Sequence, residues 1–167
     1  MPLFEVTGWV LISLNILGIL ASHLILAKLS IMLPAAWFEK ERWWSRSFAF
    51  EDGGKFYERV FFIKKWKKYL PDGAKLFKGG FAKKNLQENS VEYYELFILE
   101  TRRAEFSHWI QILPALLFYL FNPLWASIVI TIYFVFINLF PIIAQRYVRP
   151  KLTKLKNRAL KKQSSSK

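Results

Sequence analysis

Long runs of apolar residues lie near both ends of the chain, and the first of them predicts a membrane-spanning helix. Residues 6–27 hold 22 positions without a formal charge. A helix of that length extends about 33 Å, which is enough to cross a hydrocarbon core of about 30 Å. A cleaved signal peptide is the alternative, but it requires a basic segment first, and Glu5 is the one charged side chain before Lys28.

The second apolar run, residues 109–144, is divided into two unequal arms. Phe121-Asn122-Pro123 is a turn signal, because proline disfavours helix at the residue before it. The later arm, 124–144, has 21 residues and is long enough to span. The earlier arm, 109–121, has 13 residues and makes only about 20 Å of helix.

The short arm leaves two interpretations open. A helical hairpin, which the pattern favours, requires residues before Trp109 to enter the membrane, and this draws Glu105 and His108 to the interface or below it. A re-entrant or interfacial arm is the alternative, for which 13 residues are sufficient.

The segment between the apolar runs has the composition of a membrane–water interface. Residues 34–50 mix Trp37, Trp43 and Trp44 with lysine and arginine, a combination that is typical of that boundary. Asp52-Gly53-Gly54 follows as a turn.

An amphipathic helix that lies on the membrane surface is predicted after this turn. One face carries apolar residues at helical spacing: Phe56, Val60, Ile63 and Leu70. Leu70-Pro71-Asp72-Gly73 ends this helix, a basic loop covers 75–84, and the next helix begins near Ser90.

These elements predict an all-α integral membrane protein with about three membrane helices, one N-terminal and two in a C-terminal hairpin, and with cytoplasmic amphipathic or interfacial helices. The predicted divisions are an N-terminal membrane helix at 1–33, a cytoplasmic interfacial region at 34–100, a membrane helical hairpin at 101–146 and a basic, partly disordered cytoplasmic tail at 147–167.

The charged residues predict the orientation. The chain has 25 Lys+Arg against 12 Asp+Glu, a formal net charge of +13. Residues 39–103 hold 15 basic and 10 acidic side chains, residues 146–167 hold nine basic and no acidic ones, and no basic residue precedes Lys28. Because basic flanks stay on the cytoplasmic side, we expect a multi-pass cell-membrane protein with its N-terminus outside and its C-terminus in the cytoplasm.

The same composition limits the partners. With 53% hydrophobic residues, the basic flanks indicate adhesion to the anionic lipid bilayer rather than nucleic-acid binding. A second interpretation is that some lysines bind the phosphates of an anionic donor. Neither Gly53-Gly54 nor Gly79-Gly80 forms a phosphate-loop or dinucleotide motif. Zero cysteines and only two histidines argue against a metal site.

One polar cluster has the residue types for catalysis. In residues 99–109 (LETRRAEFSHW), Glu105 and His108 are three apart, so their side chains can meet on a helix, and Glu100 lies two turns before His108. A carboxylate that orients an imidazole makes a general base. An ordinary interfacial anchor is the alternative interpretation of this cluster.

The other histidine has a simpler interpretation. His23 lies deep in the first apolar run, and we expect it to hydrogen-bond to a neighbouring helix. Gln111 and Asn138 are expected to serve helix packing in the same way.

Four collinear runs carry a family resemblance: Arg46-Ser-Phe-Ala-Phe-Glu51, Gly54-Lys-Phe with Lys65-Trp-Lys-Lys and Asp72-Gly73, Glu100-Thr-Arg-Arg-Ala-Glu105-Phe-Ser-His108-Trp109 with Ile112-Leu113-Pro114, and Gln145-Arg-Tyr-Val-Arg-Pro150-Lys-Leu152. Together they resemble the glycosyl-4,4'-diaponeurosporenoate acyltransferase family, over residues 34–155. The resemblance implies a bacterial enzyme that esterifies the glucose of a glycosylated carotenoid acid with a fatty acyl group, the last step of a staphyloxanthin-type pathway.

The resemblance also implies substrates and roles. The donor would be acyl-CoA or an acyl-carrier protein, no cofactor is implied, and other enzymes of the pathway are possible partners. His108, oriented by Glu105 or Glu100, would take the proton of a sugar hydroxyl. Further residues would bind substrate or stabilise the oxyanion: Arg102, Arg103, Arg146, Trp109, Asp72 and Trp66. With no cysteine and no Gly-x-Ser-x-Gly elbow, we expect direct transfer rather than a covalent acyl-enzyme.

Two other functions stay open at this stage. The first is another small lipid-modifying membrane enzyme, such as a methyltransferase whose Arg-Tyr-x-Arg-Pro stretch binds a cofactor. The second is a non-enzymatic membrane anchor or adaptor that acts through its basic tail.

Overall fold

The computed structural model describes residues 3–6, 8–70 and 89–165, and every regular element in these ranges is helical. The α-helices are α1 (Gly8–Met32), α2 (Ala36–Glu39), α3 (Lys55–Val60), α4 (Ile63–Trp66), α5 (Val91–Ile110) and α6 (Leu124–Ser165). Three 3₁₀ helices lie between them, at Ala49–Gly54, Lys67–Tyr69 and Leu113–Leu120. The predicted all-α class is confirmed for the described part of the chain.

Two helices, α1 and α6, are long and apolar enough to cross a membrane. The most apolar stretch of α1 buries none of its residues within the protein, which is the exposure expected of a helix that faces lipid. Two hydroxyls in α1 bond back to carbonyls one turn earlier, Ser22 to Gly18 at 2.6 Å and Ser30 to Leu26 at 2.7 Å. These bonds satisfy the two serine hydroxyls without water.

The start of α1 lies beside the turn that leads into α6. The backbone N–H groups of Leu3 and Phe4 donate to the carbonyl of Leu120 at 2.8 and 3.0 Å. The side-chain amides of Asn15 and Asn122 exchange two hydrogen bonds of 2.8 Å. The short arm Leu113–Leu120 therefore reaches the level at which α1 begins.

Helix α5 packs along the second half of α6, and an aromatic cluster joins them. The predicted helix start near Ser90 is confirmed. Ser90 also caps α5, because its Oγ accepts from the N–H of Tyr93 at 3.1 Å. Leu152 of α6 is buried against the first turns of α5, in contact with Tyr93, Tyr94, Phe97 and Ile98.

The single amphipathic helix predicted after residue 54 is wrong. The chain forms α3, then α4 after a break at Phe62, which has a φ of 49°. Val60 is 53% exposed whereas Ile63 is fully buried, so these two residues do not share one face. The break lets Phe61 and Ile63 pack on the same part of α6 as Tyr57. One straight helix would spread these three side chains over about 160° of its circumference.

The segment 147–165 continues α6 without interruption, including Pro150. Three contacts hold this part of α6 to the rest of the protein: Leu152 is buried, and Lys151 and Lys156 pair with Glu58 and Glu95. The predicted turn at Pro71-Asp72-Gly73 and the basic loop at 75–84 lie outside the described residues.

Glu58 joins α3 to α4 and α6. It accepts hydrogen bonds from Lys151 at 2.8 Å, Lys64 at 2.6 Å and the Tyr147 hydroxyl at 2.9 Å. These bonds, with that of Lys151 first, lower the pKa of Glu58 to about 2. The carboxylate therefore stays ionised at neutral pH and holds α3 and α4 against α6.

The turn predicted at Asp52-Gly53-Gly54 is confirmed, and each of its residues has a positive φ, of 45°, 60° and 98°. At Gly54 an added Cβ would lie 3.1 Å from the backbone oxygen of Tyr147, whereas at Gly53 it would lie 3.4 Å from Nζ, the end of the Lys154 side chain. Glycine at position 54 is needed both for its φ and for the close approach to α6.

We predict that Gly54→Ala destabilises the protein more than Gly53→Ala. Both changes carry the left-handed penalty of about 1–2 kcal/mol. Gly54→Ala adds an overpacking cost of about 1–3 kcal/mol, because the Tyr147 backbone cannot move aside easily. Denaturant titration of the two detergent-solubilised variants measures the difference, and equal losses of stability would contradict this view of the turn.

Candidate functional site

A buried charge network lies where α5, α6 and the chain after α2 meet. Glu105 of α5 is fully buried, and its two carboxylate oxygens accept from two arginines of α6. Arg146 Nε lies 2.6 Å from Oε1, and Arg149 Nη2 lies 2.6 Å from Oε2. One carboxylate thus bridges two guanidinium groups that are three residues apart on the same helix.

The network continues into the 44–57 segment. The Glu51 carboxylate pairs with Arg146 Nη1 and also accepts from the Tyr57 hydroxyl at 2.8 Å. Burial raises the pKa of Tyr57 well above its usual range, and the hydrogen bond to Glu51 raises it further, so the phenol stays protonated as a donor. The carbonyl of Trp44 accepts from Arg146 Nη2 at 2.6 Å.

Arg149 is held as completely as Arg146. It donates to Thr101 Oγ1 at 3.0 Å through Nε and to the Ser45 carbonyl at 2.8 Å through Nη1. Two arginines and two glutamates make the network formally neutral. All three guanidinium nitrogens of Arg146 bind protein oxygens. The sequence had predicted that Arg146 binds substrate.

The other two predicted substrate-binding arginines also have protein partners. Arg103 pairs with Glu100 at 2.9 Å and reaches the Leu33 carbonyl at 3.5 Å. Arg102 donates to the carbonyls of Phe38, at 3.1 Å, and Glu39. Both arginines fasten α5 to the end of α1 and to α2, and Glu100 serves this pairing rather than reaching toward His108.

His108 has a different orienting partner from the one predicted. Its Nδ1 lies 2.9 Å from Asn138 Oδ1 on α6, while Glu105 binds the two arginines. The amide of Asn138 is oriented because its Nδ2 donates to the Phe134 carbonyl at 2.8 Å, which turns Oδ1 toward the ring. An oxygen at Nδ1 requires Nδ1 to carry the proton, so in the neutral ring Nε2 carries the lone pair.

His23 is connected in the same way. Its Nδ1 lies 2.9 Å from Gln111 Oε1, and Gln111 Nε2 donates to Ser107 Oγ at 3.0 Å. The ring stacks on Phe134 with centroids 5.0 Å apart. The predicted hydrogen bond between His23 and a neighbouring helix segment is confirmed, and Gln111 and Asn138 do join helices as expected.

An open groove of about 370 Å³ lies beside the network. One side is formed by the α6 residues Leu139, Ile142, Ile143 and Arg146. The other side is aromatic and is formed by Phe48, Phe50, Phe56, Tyr57, Phe61 and Trp109. We call this feature the aromatic groove. Among the residues that the structure describes, Arg146 is the one charged residue that lines it.

The remaining predicted site residues have separate locations. Trp109 lines the aromatic groove and directs its indole N–H to Glu105 Oε1 at 3.4 Å. Trp66 does not line it: its N–H donates to the Phe61 carbonyl at 2.7 Å and its ring meets Phe140 edge-on at 5.1 Å. Asp72 lies outside the described residues.

Four participants were missed as site residues: Glu51, Arg149, Tyr57 and Asn138. Glu51 and Arg149 both lie in runs that carry the family resemblance, so the sequence offered a signal that could have identified them. Asn138 is a lone amide in an apolar run, and only the fold brings it to His108. Within the described ranges, no three His, Cys, Asp or Glu side chains lie together as potential metal ligands.

Comparison with known proteins gives one consistent family. The family model described as glycosyl-4,4'-diaponeurosporenoate acyltransferase matches residues 34–158. A protein of that name from Staphylococcus aureus (strain MRSA252) is 35% identical over 147 residues, which cover 88% of this chain and 82% of the relative. Its counterpart from strain bovine RF122 / ET3-1 is 34% identical over the same shares. No solved structure matches the chain.

We predict that Glu105→Gln is strongly destabilising. Removing one partner of a buried ion pair costs about 3–5 kcal/mol, because Arg146 and Arg149 would share a neutral amide. The matched control is Glu95→Gln, which breaks a surface pair with Lys156 and should cost about 0–1 kcal/mol. The readout is the free energy of unfolding in detergent, and a Glu105→Gln loss as small as that of the control would contradict a structural role for the network.

Proposed function

The chain belongs to the glycosyl-4,4'-diaponeurosporenoate acyltransferase family and is an acyltransferase, and from this premise we propose that it esterifies a sugar hydroxyl of a glycosylated carotenoid with a fatty acyl group. The reaction would complete a staphyloxanthin-type pathway in a bacterial cell membrane. The observation that carries the proposal is the family match over residues 34–158, which includes the whole charge network, His108 and the aromatic groove.

A topology with three membrane crossings fits this function. The Leu120 carbonyl accepts hydrogen bonds from residues just before α1, while Arg102 and Arg103 donate to carbonyls just after α1. The segment 103–120 therefore runs along the whole length of α1. This supports a full crossing by the second arm rather than a re-entrant one. We propose that the N-terminus is outside and the basic C-terminus is cytoplasmic.

The charge network would then lie at the cytoplasmic boundary. Arg146 follows Trp125 by 21 positions of α6, or about 32 Å, close to one hydrocarbon thickness. Exposed tryptophans stand near both ends of this distance, Trp9 and Trp125 at one and Trp37 and Trp43 at the other, as in the two aromatic belts of a membrane protein.

His108 is the proposed general base. It follows Glu105 by three residues, about 4.5 Å along the axis of α5, so it stands just inside the charged boundary. Asn138 holds Nδ1 as the donor, which leaves the lone pair on Nε2. An imidazole oriented by an amide is a known form of this arrangement.

The transfer would be direct. Nε2 of His108 takes the proton of the sugar hydroxyl as its oxygen attacks the acyl carbonyl carbon. A carbon–oxygen ester bond forms, the carbon–sulfur bond of the thioester breaks, and the departing thiolate receives the proton from His108. The donor is a fatty acyl thioester of coenzyme A or of an acyl-carrier protein, and the protein supplies no cofactor to the reaction.

Glu105 and Glu100 are proposed as positioning residues, since each acts through the arginines that it binds. Donor phosphates would instead meet lysines near α4. Lys67 is partly buried, and its burial together with the adjacent Lys151 lowers its pKa, which indicates two cations in close proximity. The family assignment favours acyl transfer over the methyltransferase and adaptor alternatives.

Single-cysteine labelling tests the topology, because the sequence contains no native cysteine that would also react with the label. We expect Leu3→Cys and Leu124→Cys to react with a membrane-impermeant maleimide in intact cells, and Leu160→Cys to react only after the cells are opened. All three side chains are exposed in the structure, so failure to label cannot come from burial within the protein. Labelling of Leu160→Cys in intact cells would overturn the orientation.

Substitution of the histidines tests the mechanism. His108→Ala should lower acyl transfer by about 10²–10⁴-fold, the usual contribution of a general base. His23→Ala is the matched control, because His23 has the same amide partner arrangement and should lose less than about tenfold. The assay supplies labelled acyl donor and glycosylated carotenoid to membranes and detects the acyl mass increment. Near-normal transfer by His108→Ala at unchanged protein level would remove His108 from the mechanism.

A further inference from the structure

The aromatic groove has two walls of different character. On α6 its residues follow at i, i+3, i+4 and i+7, so Leu139, Ile142, Ile143 and Arg146 form one stripe of the helix. On the other side Phe48 and Phe50 stack with centroids 5.6 Å apart and planes 11° from parallel, and Phe56 meets Phe50 edge-on at 5.2 Å. The opposite wall therefore presents flat, polarisable surfaces.

The groove begins at the charge network and extends toward the apolar part of α6. From Arg146 to Leu139 the helix rises about 10 Å. Leu139 is 37% exposed and Phe50 is 59% exposed, so the groove is open along its side. A molecule dissolved in the bilayer could enter laterally, and only the part next to its head group would be covered.

The polar end of the groove does not favour an anion. Arg146 is matched by Glu51 and Glu105, and the four-residue network that includes Arg149 has no formal net charge. Its exposed surroundings instead include Trp109, whose ring can pack against a sugar and whose N–H points to Glu105. Charge complementarity thus selects a neutral, hydroxyl-rich head group over a phosphate.

We propose that the aromatic groove binds the acceptor, a conjugated polyene that carries a neutral sugar. This inference rests on the proposed function for the identity of the reaction, but it assigns a site to one of the two substrates. The sugar lies between Trp109 and the charge network, beside the turn of α5 that carries His108, and the first part of the polyene lies between the aromatic wall and the stripe of α6.

The shape of the groove favours a polyene over the donor's saturated chain. A conjugated chain is flat and rigid, so it loses little conformational freedom when it is placed between flat surfaces. A saturated acyl chain would lose freedom at each of its bonds. Its donor also carries phosphates, which the neutral end of the groove does not complement.

Two tryptophan substitutions on α6 test the assignment. Leu139→Trp fills the groove, whereas Ile137→Trp is the matched control, because Ile137 is 46% exposed on the same helix and does not line the groove. Each protein is incubated with glycosyl-4,4'-diaponeurosporenoate, purified in mild detergent, and measured for retained visible absorbance per protein. The same preparations are assayed for the KM of each substrate and for acyl transfer.

We expect Leu139→Trp to lose pigment retention and to raise the acceptor KM by about tenfold or more, with the donor KM unchanged and Ile137→Trp like the wild type. Equal retention by both variants, or a rise in the donor KM alone, would overturn the assignment. Acyl transfer that is insensitive to Leu139→Trp would overturn the groove but not the proposed function. If the wild-type protein retains pigment and Leu139→Trp does not, but neither transfers an acyl group, the groove assignment stands and the proposed function is overturned.

Discussion

The fold depends on one buried carboxylate, that of Glu105, which is shared between Arg146 and Arg149. A charge with no exposure must be matched by partners, and each of its oxygens has one at 2.6 Å. The two arginines then extend to Glu51, Thr101 and the carbonyls of Trp44 and Ser45. Helices α1 and α6 expose apolar faces, so the buried charge network is the contact that holds α5, α6 and the segment 44–57 together.

This constraint positions the chemistry. Because Glu105 is anchored, the next turn of α5 brings His108 to Asn138 and directs Trp109 along the aromatic groove. The network is neutral, so it can stand at the edge of the bilayer without a bound counter-ion. The proposed acyl transfer uses this arrangement: the network gives rigidity and a neutral polar surface, and the imidazole just inside it moves the proton.

Sequence reasoning succeeded where a local pattern decides the structure. Residues 8–27 of the uncharged run lie in α1, α5 begins directly after Ser90, and the glycines at 53 and 54 make the turn. It failed where partners distant in sequence compete. Helical spacing allowed Glu105 to meet His108, but arginines 41 and 44 residues away bind it more completely. The broken helix at Phe62 likewise results from tertiary packing on α6, which periodicity alone does not contain.

The central claim is direct transfer from donor to acceptor without an acylated protein, and a two-substrate initial-rate measurement tests it most directly. Rates are measured with the acyl donor and the glycosylated carotenoid both varied. Direct transfer requires both substrates on the protein together, so double-reciprocal plots should intersect. Parallel lines would mean that the acyl group is first transferred to the protein, and they would contradict the account.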